Sequence, residues 1–406
     1  MRGIPSSFLM LFFLIIFLIE LVSYLGIILV IKSWTKKYQS YFKLIYLFLS
    51  ILFIGIIVYA FSNPELIRQR HNYTFFFIVI SISFLNLFPK AILSLFTLLS
   101  VLFRWIGGKQ QQLIIISGSF LISVGVFLIL GYGIFIGRYD IRVERQNICL
   151  DELPASLDGL KIVQLSDIHL GSFGKKQYVL DETNRIIEQI QPDILLFTGD
   201  MVNNFADEMH GFESGLKKLN AKYGKFAITG NHDYGDYSNW PDSMSKAANL
   251  KQIRLKLENA GFKLLLNQWE KVSILDTSIC LIGVENWGHK PFPQYANLDL
   301  AMNGIPINSF QILMTHDPAH WEAKVVPETS IPLTLSGHTH GGQSGIRIAG
   351  IEFSPMYFVQ KSWGGLYQAG NQFLYVNRGL GTVGFPGRIE MKPEITVLTL
   401  HRSKIH

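Results

Sequence analysis

Apolar and polar residues follow two regimes along this chain. Up to about residue 136 the apolar positions form long runs over residues 8–31, 44–61, 75–103 and 113–136. Each run is long enough to cross a bilayer as a helix, so region 1–140 is expected to form a transmembrane bundle of about four helices. The third run carries Pro89-Lys90 near its middle; since neither half would span alone, it reads as one tilted or kinked helix. Further on the apolar runs are short. Residues 161–165, 194–197, 226–228, 310–314 and 331–335 read as buried strands, with further strands at 272–275 and 279–284. Helical periodicity falls at 178–189 and 243–259. Alternating elements followed by closely spaced strands predict sheets covered by helices in a single domain, 156–406, reached through a polar connector, 141–155. The chain shows no internal repeat and no low-complexity segment.

Composition sharpens that division. Hydrophobic residues make up 49% of the 406 and charged residues 16%, too apolar for an ordinary soluble enzyme. The formal net charge of +6 comes in large part from Lys and Arg beside the apolar runs. It argues for contact with anionic lipid headgroups, and no basic stripe interleaved with aromatics points to nucleic acid. The flanking charges are balanced, with Arg2, Arg68, Arg70, Arg138, Arg142 and Arg145 on one side and Lys32, Lys36, Lys37, Lys43, Arg104 and Lys109 on the other. The positive-inside rule therefore selects neither face for the domain. Glu20 lies midway along the first run. It is read as facing the bundle interior, protonated or hydrogen-bonded to a neighbouring helix, because Lys90 is the one basic residue inside the other runs. Cys149 and Cys280 have no metal-binding spacing and offer no disulfide framework.

The chemistry lies at the ends of the short strands. Five polar clusters follow them in order: Ser166-Asp167-Ile168-His169, Gly199-Asp200, Gly230-Asn231-His232-Asp233, His316-Asp317, and Gly337-His338-Thr339-His340-Gly341-Gly342. In an extended segment residues i and i+2 point the same way, so Asp167 with His169, and His338 with His340, are expected to aim two ligand atoms at one spot. Two carboxylates, one amide oxygen and four imidazoles suit a divalent ion such as Mn, Fe or Zn. Seven ligands exceed what one catalytic ion with open positions takes, and they suit two. Asp200, on a turn that Gly199 permits, fits the bridging place between ions about 3.5–4 Å apart. Asp233 reads as a residue that orients the turn. His71, His210, His289, His320, His401 and His406 have no paired spacing and read as surface or packing residues. Arg378, in a glycine-rich loop, is a candidate for a substrate phosphate, with a salt-bridged loop residue as the competing reading.

In that order and spacing the clusters resemble the calcineurin-like metallophosphoesterase superfamily, over residue 155 to the end. The resemblance implies two mixed sheets packed face to face and flanked by helices. It implies that Asp167, His169 and His340 hold one metal, that Asp200 bridges, and that Asn231, His316 and His338 hold the second. His232 takes the place of the family's non-ligand histidine, which contacts the phosphoryl group and assists the leaving oxygen. Ser166-Asp167-Ile168-His169, the Gly337–Gln343 stretch, 375–382 and Pro393-Glu394-Ile395 resemble more closely a membrane-associated bacterial branch, the YkuE/YaeI-like proteins. The likeness does not cover the four apolar runs; those runs imply an integral, multi-pass protein, and the branch a bacterial inner or plasma membrane. The branch also implies hydrolysis of a phosphoester or pyrophosphate bond in an amphiphilic, lipid-linked substrate such as a phospholipid or UDP-diacylglucosamine-like compound. Where the branch often carries an acidic pair, this chain has Glu285-Asn286. Two other readings stand beside it: a phosphodiesterase of soluble nucleotides or cell-wall phosphodiesters, and a non-catalytic membrane sensor or scaffold. The complete ligand set speaks against the scaffold, and nothing in the sequence calls for an obligate protein partner.

Overall fold

The computed structural model describes residues 6–68, 73–288 and 293–403. His71, His289, His406, Arg2 and Arg70 lie outside them. The described chain divides into two compact units, one built from the long N-terminal helices and the other from the domain beginning at Gly137.

The first unit holds α1 (Ser6–Val30), α2 (Lys36–Ser62), a single turn α3 (Glu65–Arg68) and α4 (Thr74–Phe135). Among the described residues three helices are long and apolar enough to cross a membrane. The third and fourth apolar runs are the two arms of α4, whose 62 residues are interrupted at Gly108, at φ 84° and ψ −173°. An unbroken helix of that length would reach about 90 Å, three times the hydrocarbon thickness. Both arms return to α1: a Cβ at Gly26 would lie 2.2 Å from Thr97 Oγ1 on the first arm and 3.5 Å from Ile116 Cδ1 on the second. Glycine allows that close approach between helix backbones. The non-helical break falls at Gly108, while Pro89 stays within the helix.

Glu20 is buried in this bundle. It accepts hydrogen bonds from Ser50 Oγ at 2.6 Å, Asn86 Nδ2 at 2.7 Å and Tyr46 OH at 3.1 Å, and pairs with Lys90 Nζ at 2.8 Å. An ion pair with every carboxylate oxygen occupied ties α1 to α2 and α4 where an unpaired charge would be costly.

The second unit is a four-layer sandwich. One sheet has the order β1 (Arg142–Leu150), β14 (Glu394–Arg402), β2 (Leu160–Leu165), β3 (Ile194–Phe197), β4 (Lys225–Ala227), β5 (Lys263–Leu264). The other runs β12 (Gly365–Ala369), β13 (Gln372–Val376), β9 (Leu333–Ser336), β8 (Phe310–Met314), β7 (Thr277–Gly283), β6 (Gln268–Ile274). Both are mixed: β14 runs antiparallel to β2, and β7 antiparallel to β6, beside parallel neighbours. A separate hairpin pairs β10 (Ile346–Ile348) with β11 (Ile351–Phe353).

Alternation along the strands sorts the core into layers. Ile162, Leu196 and Phe226 from one sheet meet Leu281, Ile312 and Leu335 from the other. The opposite residues, Val163, Leu165, Leu195 and Phe197, pack on Leu180 and Ile187 of α5 (Tyr178–Ile190) and Ile253 and Leu257 of α7 (Ser243–Asn259). Ile282, Leu313 and Val376 form the third layer with Trp321 and Val325. Each fully buried aliphatic contributes roughly 1.5–3 kcal/mol, so both faces of each central strand are fastened and the strand ends are held in place.

Residues 142–150, expected within a connector, form β1 instead, paired in parallel with β14 over nine residues. Most of the strand is polar and only Cys149's neighbours Ile148 and Leu150 are buried. Its partner lies at the far end of the chain, so no local pattern marks it.

Candidate metal centre

The candidate ligand residues sit at the C-terminal ends of parallel strands: Asp167 and His169 after β2, Asp200 after β3, Asn231 after β4, His316 after β8, and His338 and His340 after β9. The expectation of extended geometry fails. Asp167, His169, Asp200, His338 and His340 all have positive φ, between 44° and 73°. Left-handed turns, costing of order 1–3 kcal/mol each, bring the side chains together instead. Gly199 does turn sharply, at φ 98°. Asp233 holds the turns in place, its two carboxylate oxygens accepting from the backbone N–H groups of Asp200, Met201, Val202 and Gly230.

All seven candidate ligands converge. His340 Nε2 lies 3.1 Å from His169 Nε2 and 3.3 Å from Asp167 Oδ1. His338 Nδ1 lies 2.8 Å from Asn231 Oδ1 and 3.3 Å from His316 Nε2, which is itself 2.9 Å from Asn231 Oδ1. Asp200 Oδ2 stands between the two groups, 3.5 Å from His169 Nε2 and 3.2 Å from His316 Nε2. Donor atoms about 2.1 Å from a common cation stand about 3.0–3.4 Å apart, so these separations fit ligands gathered around divalent ions. Asp167, His169, Asp200, His316 and His340 are buried, whereas His232 and His338 are half-buried and form the open rim.

Hydrogen bonds orient the imidazoles. His316 Nδ1–H donates to the Thr198 carbonyl at 2.8 Å, leaving Nε2 to face Asp200. His232 Nδ1–H donates to the Asn203 carbonyl at 2.8 Å, and its backbone N–H donates to Asp200 Oδ1 at 2.8 Å. Its ring thus stands beside the ligands with Nε2 turned elsewhere than the carbonyl. Burial, reinforced by the neighbouring His232, pushes His169 down to about 3, so its imidazole is neutral with a lone pair to share. Burial holds His340 well below the ordinary histidine range. At His316 burial acts in the same direction, but the Asp200 carboxylate outweighs it and pushes the imidazole up to about 10. A proton there occupies the place a cation would take, and metal binding would release it.

Three supporting residues carry no motif. Tyr237 stacks on His232, ring centroids 4.3 Å apart, and its hydroxyl accepts from Asn231 Nδ2 at 2.7 Å, which turns Oδ1 toward the histidines. Arg388, fully buried, donates to the carbonyls of Arg378, Gly381 and Met391 and reaches His340 Nδ1 at 3.2 Å. Asn203 supplies the carbonyl for His232. None of the three has a local signal in the sequence. Arg378 donates to Glu394 at 2.6 Å and also pairs with Glu352, so both ends of its guanidinium meet carboxylates. Glu285 accepts from Tyr234, Arg254 and Asn267. His320 is buried against Trp287, while His210 and His401 pair with acids nearer the surface.

Comparison with known proteins agrees with this geometry. Residues 160–342 match the family described as calcineurin-like phosphoesterase. Metallophosphoesterase YkuE of Bacillus subtilis is 33% identical over 275 residues, covering 66% of this chain and 89% of the relative. A transmembrane protein with metallophosphoesterase domain from Danio rerio is 27% identical over 310 residues, covering 73% of this chain and 66% of the relative. Its counterpart from Bos taurus is 31% identical over 272 residues, covering 64% and 56%. Relatives named as transmembrane proteins and three helices able to cross a membrane agree on a membrane protein. With a family match over the strands that carry the candidate ligands and a relative covered along nearly nine-tenths of its length, this chain belongs to the calcineurin-like metallophosphoesterase family.

Proposed function

We propose that this chain is a multi-pass enzyme of a bacterial plasma membrane that uses two divalent metal ions to hydrolyse a phosphoester or pyrophosphate bond in a lipid-linked substrate. The observation that carries the two-ion reading is the place of Asp200 Oδ2, within 3.5 Å of a ring nitrogen in each ligand group. Asp167, His169 and His340 would hold one ion, Asn231, His316 and His338 the other, with Asp200 shared. Bound there, such a pair lowers the pKa of a water and neutralises charge on a phosphoryl group.

The remaining work falls to the chain's own residues. Asp200 Oδ1 fixes the backbone of His232, the Asn203 carbonyl fixes its tautomer, and Tyr237 fixes its ring plane. Nε2 is then the atom available to deliver a proton to the departing oxygen. Asp167, His169 and Asp200 form a buried floor, so bulk water reaches the centre from the rim of His232 and His338. The lipid-linked substrate is supported by the membrane setting, where a bilayer-embedded chain meets amphiphiles at high local concentration.

Phosphorus NMR of membrane lipids, extracted after incubation with detergent-solubilised protein and Mn²⁺, tests both parts of the proposal. A lipid phosphorus signal consumed by the wild type and spared by Asp200→Asn is the expected result. Unchanged lipids together with intact hydrolysis of a soluble phosphodiester would overturn the lipid reading, and near-normal turnover by Asp200→Asn would overturn the shared ligand.

A further inference from the structure

The segment 344–363 alternates in a way that ordinarily predicts a half-buried hairpin, with apolar residues inward and charges outward. Here the arrangement is inverted. In the β10–β11 hairpin Ile346 pairs with Phe353, Arg347 with Glu352, and Ile348 with Ile351. Directly paired residues share a face, so four apolar side chains lie on one side and the Arg347–Glu352 pair on the other. The charged side is the one fastened to the domain. Arg347 donates to Glu352 at 3.1 Å and to Glu144 of β1 at 2.9 Å, and Glu352 pairs in turn with Arg378. The apolar side faces outward, with Ile348 67% and Ile351 76% exposed. Phe358 and Val359 extend it, 79% and 80% exposed, and Phe358 meets the Phe353 ring at 6.1 Å. Water is a poor solvent for such a continuous face, and apolar patches of this kind mark interaction surfaces.

We propose that this face lies in the interfacial layer of a phospholipid bilayer. The chain is a membrane protein, and the hairpin is tied through Glu144 to the strand that follows the last apolar helix. Phe135 ends that helix, and the chain between it and Glu144 reaches at most about 30 Å fully extended. That length limits how far the strand holding the hairpin can stand from the end of the last apolar helix. The patch is also joined to the metal centre: Gly342, in the loop that carries His338 and His340, is so tightly backed by the turn after the hairpin that a Cβ there would lie 2.8 Å from Ser354 Oγ. Seating the patch in lipid holds that loop at headgroup height. The inference concerns membrane contact and stands independently of which bond the centre hydrolyses.

Spin labels on the full-length protein in phosphatidylethanolamine–phosphatidylglycerol liposomes test it, in a background with Cys149→Ser and Cys280→Ala. Labels at Ile351→Cys and Phe358→Cys are read against Ile307→Cys, a site 92% exposed on the same domain. The expected result is that both patch labels are shielded from a water-soluble nickel chelate, open to oxygen, and about 5–10 Å below the phosphate level, while the label at 307 reads as water-exposed. Chelate access at 351 and 358 equal to that at 307 overturns the proposal. So does dipolar broadening between 351 labels on two copies, which would give the patch to a second chain.

Discussion

Gly199 offers a test in which strain and crowding can be separated. It stands between β3 and Asp200 at φ 98°, and a Cβ there would lie 2.5 Å from Gly230 N, 2.8 Å from Gly230 Cα and 2.9 Å from His316 Nδ1. Two of the three are backbone atoms, which cannot rotate aside. Gly199→Ala therefore carries two costs: about 1–3 kcal/mol for a non-glycine residue at that φ, and about 1–3 kcal/mol for overpacking. The sum is about 4 kcal/mol, which for a domain of this size corresponds to a fall in melting temperature of about 8–16 °C. Gly304→Ala is the control, since Gly304 has φ 78° but nothing within 4 Å of its Cβ position. It should show the conformational cost alone, about 1 kcal/mol or 2–4 °C. The assay is thermal unfolding of the detergent-solubilised protein followed by tryptophan fluorescence, with metal content measured on the same samples. Because the loops bearing Asp200 and Asn231 must part to admit the methyl group, Gly199→Ala should also lose bound metal. Equal shifts for the two variants with full metal content would refute the claim that this close approach assembles the centre.

Three further outcomes follow from the site. His232→Ala should lower turnover by about 10²–10⁴-fold, the usual worth of a general acid, with metal content nearly intact by elemental analysis; loss of metal would make His232 a ligand. Tyr237→Phe removes the hydroxyl that orients Asn231 and should weaken metal binding by about tenfold, seen as a rightward shift of the Mn²⁺ activation curve, and an unmoved curve would leave the hydroxyl no such role. Burial lowers His320 to about 4, so between that value and its unfolded pKa near 6.5 the unfolded chain binds the extra proton and stability falls as pH falls. Against His320→Gln, which does not titrate, the wild type should lose about 2 kcal/mol between pH 6.5 and pH 5, and parallel denaturation midpoints across that range would contradict it.

Much of the centre was legible because its signals are local. A buried parallel strand reads as a short apolar run, and a ligand cluster must follow it directly to reach the rim, so Asp167, His169, Asp200, Asn231, His316, His338 and His340 could be picked out from adjacency alone. Their backbone conformation could not. Left-handed turns at non-glycine residues are disfavoured locally, and here interactions between loops distant along the chain hold them, such as the four N–H groups gathered by Asp233. Arg388 escaped notice because a lone arginine in a loop has no periodicity, and its burial beside His340 depends on segments far apart in the chain.

By itself the sequence determined where the helices able to cross a membrane lie, the strands of both sheets that end in candidate ligands, and which His, Asp and Asn residues stand at those ends, since each depends on residues close together along the chain. Tertiary structure alone decided that 142–150 becomes a strand, because its partner is β14 at the other end. It decided that Arg378 meets two carboxylates, that the third and fourth apolar runs share one helix broken at Gly108, and that the hairpin at 346–353 turns its apolar side outward. In each case the free energy lies in contacts between distant segments, and a local pattern carries no record of which segment will be on the other side.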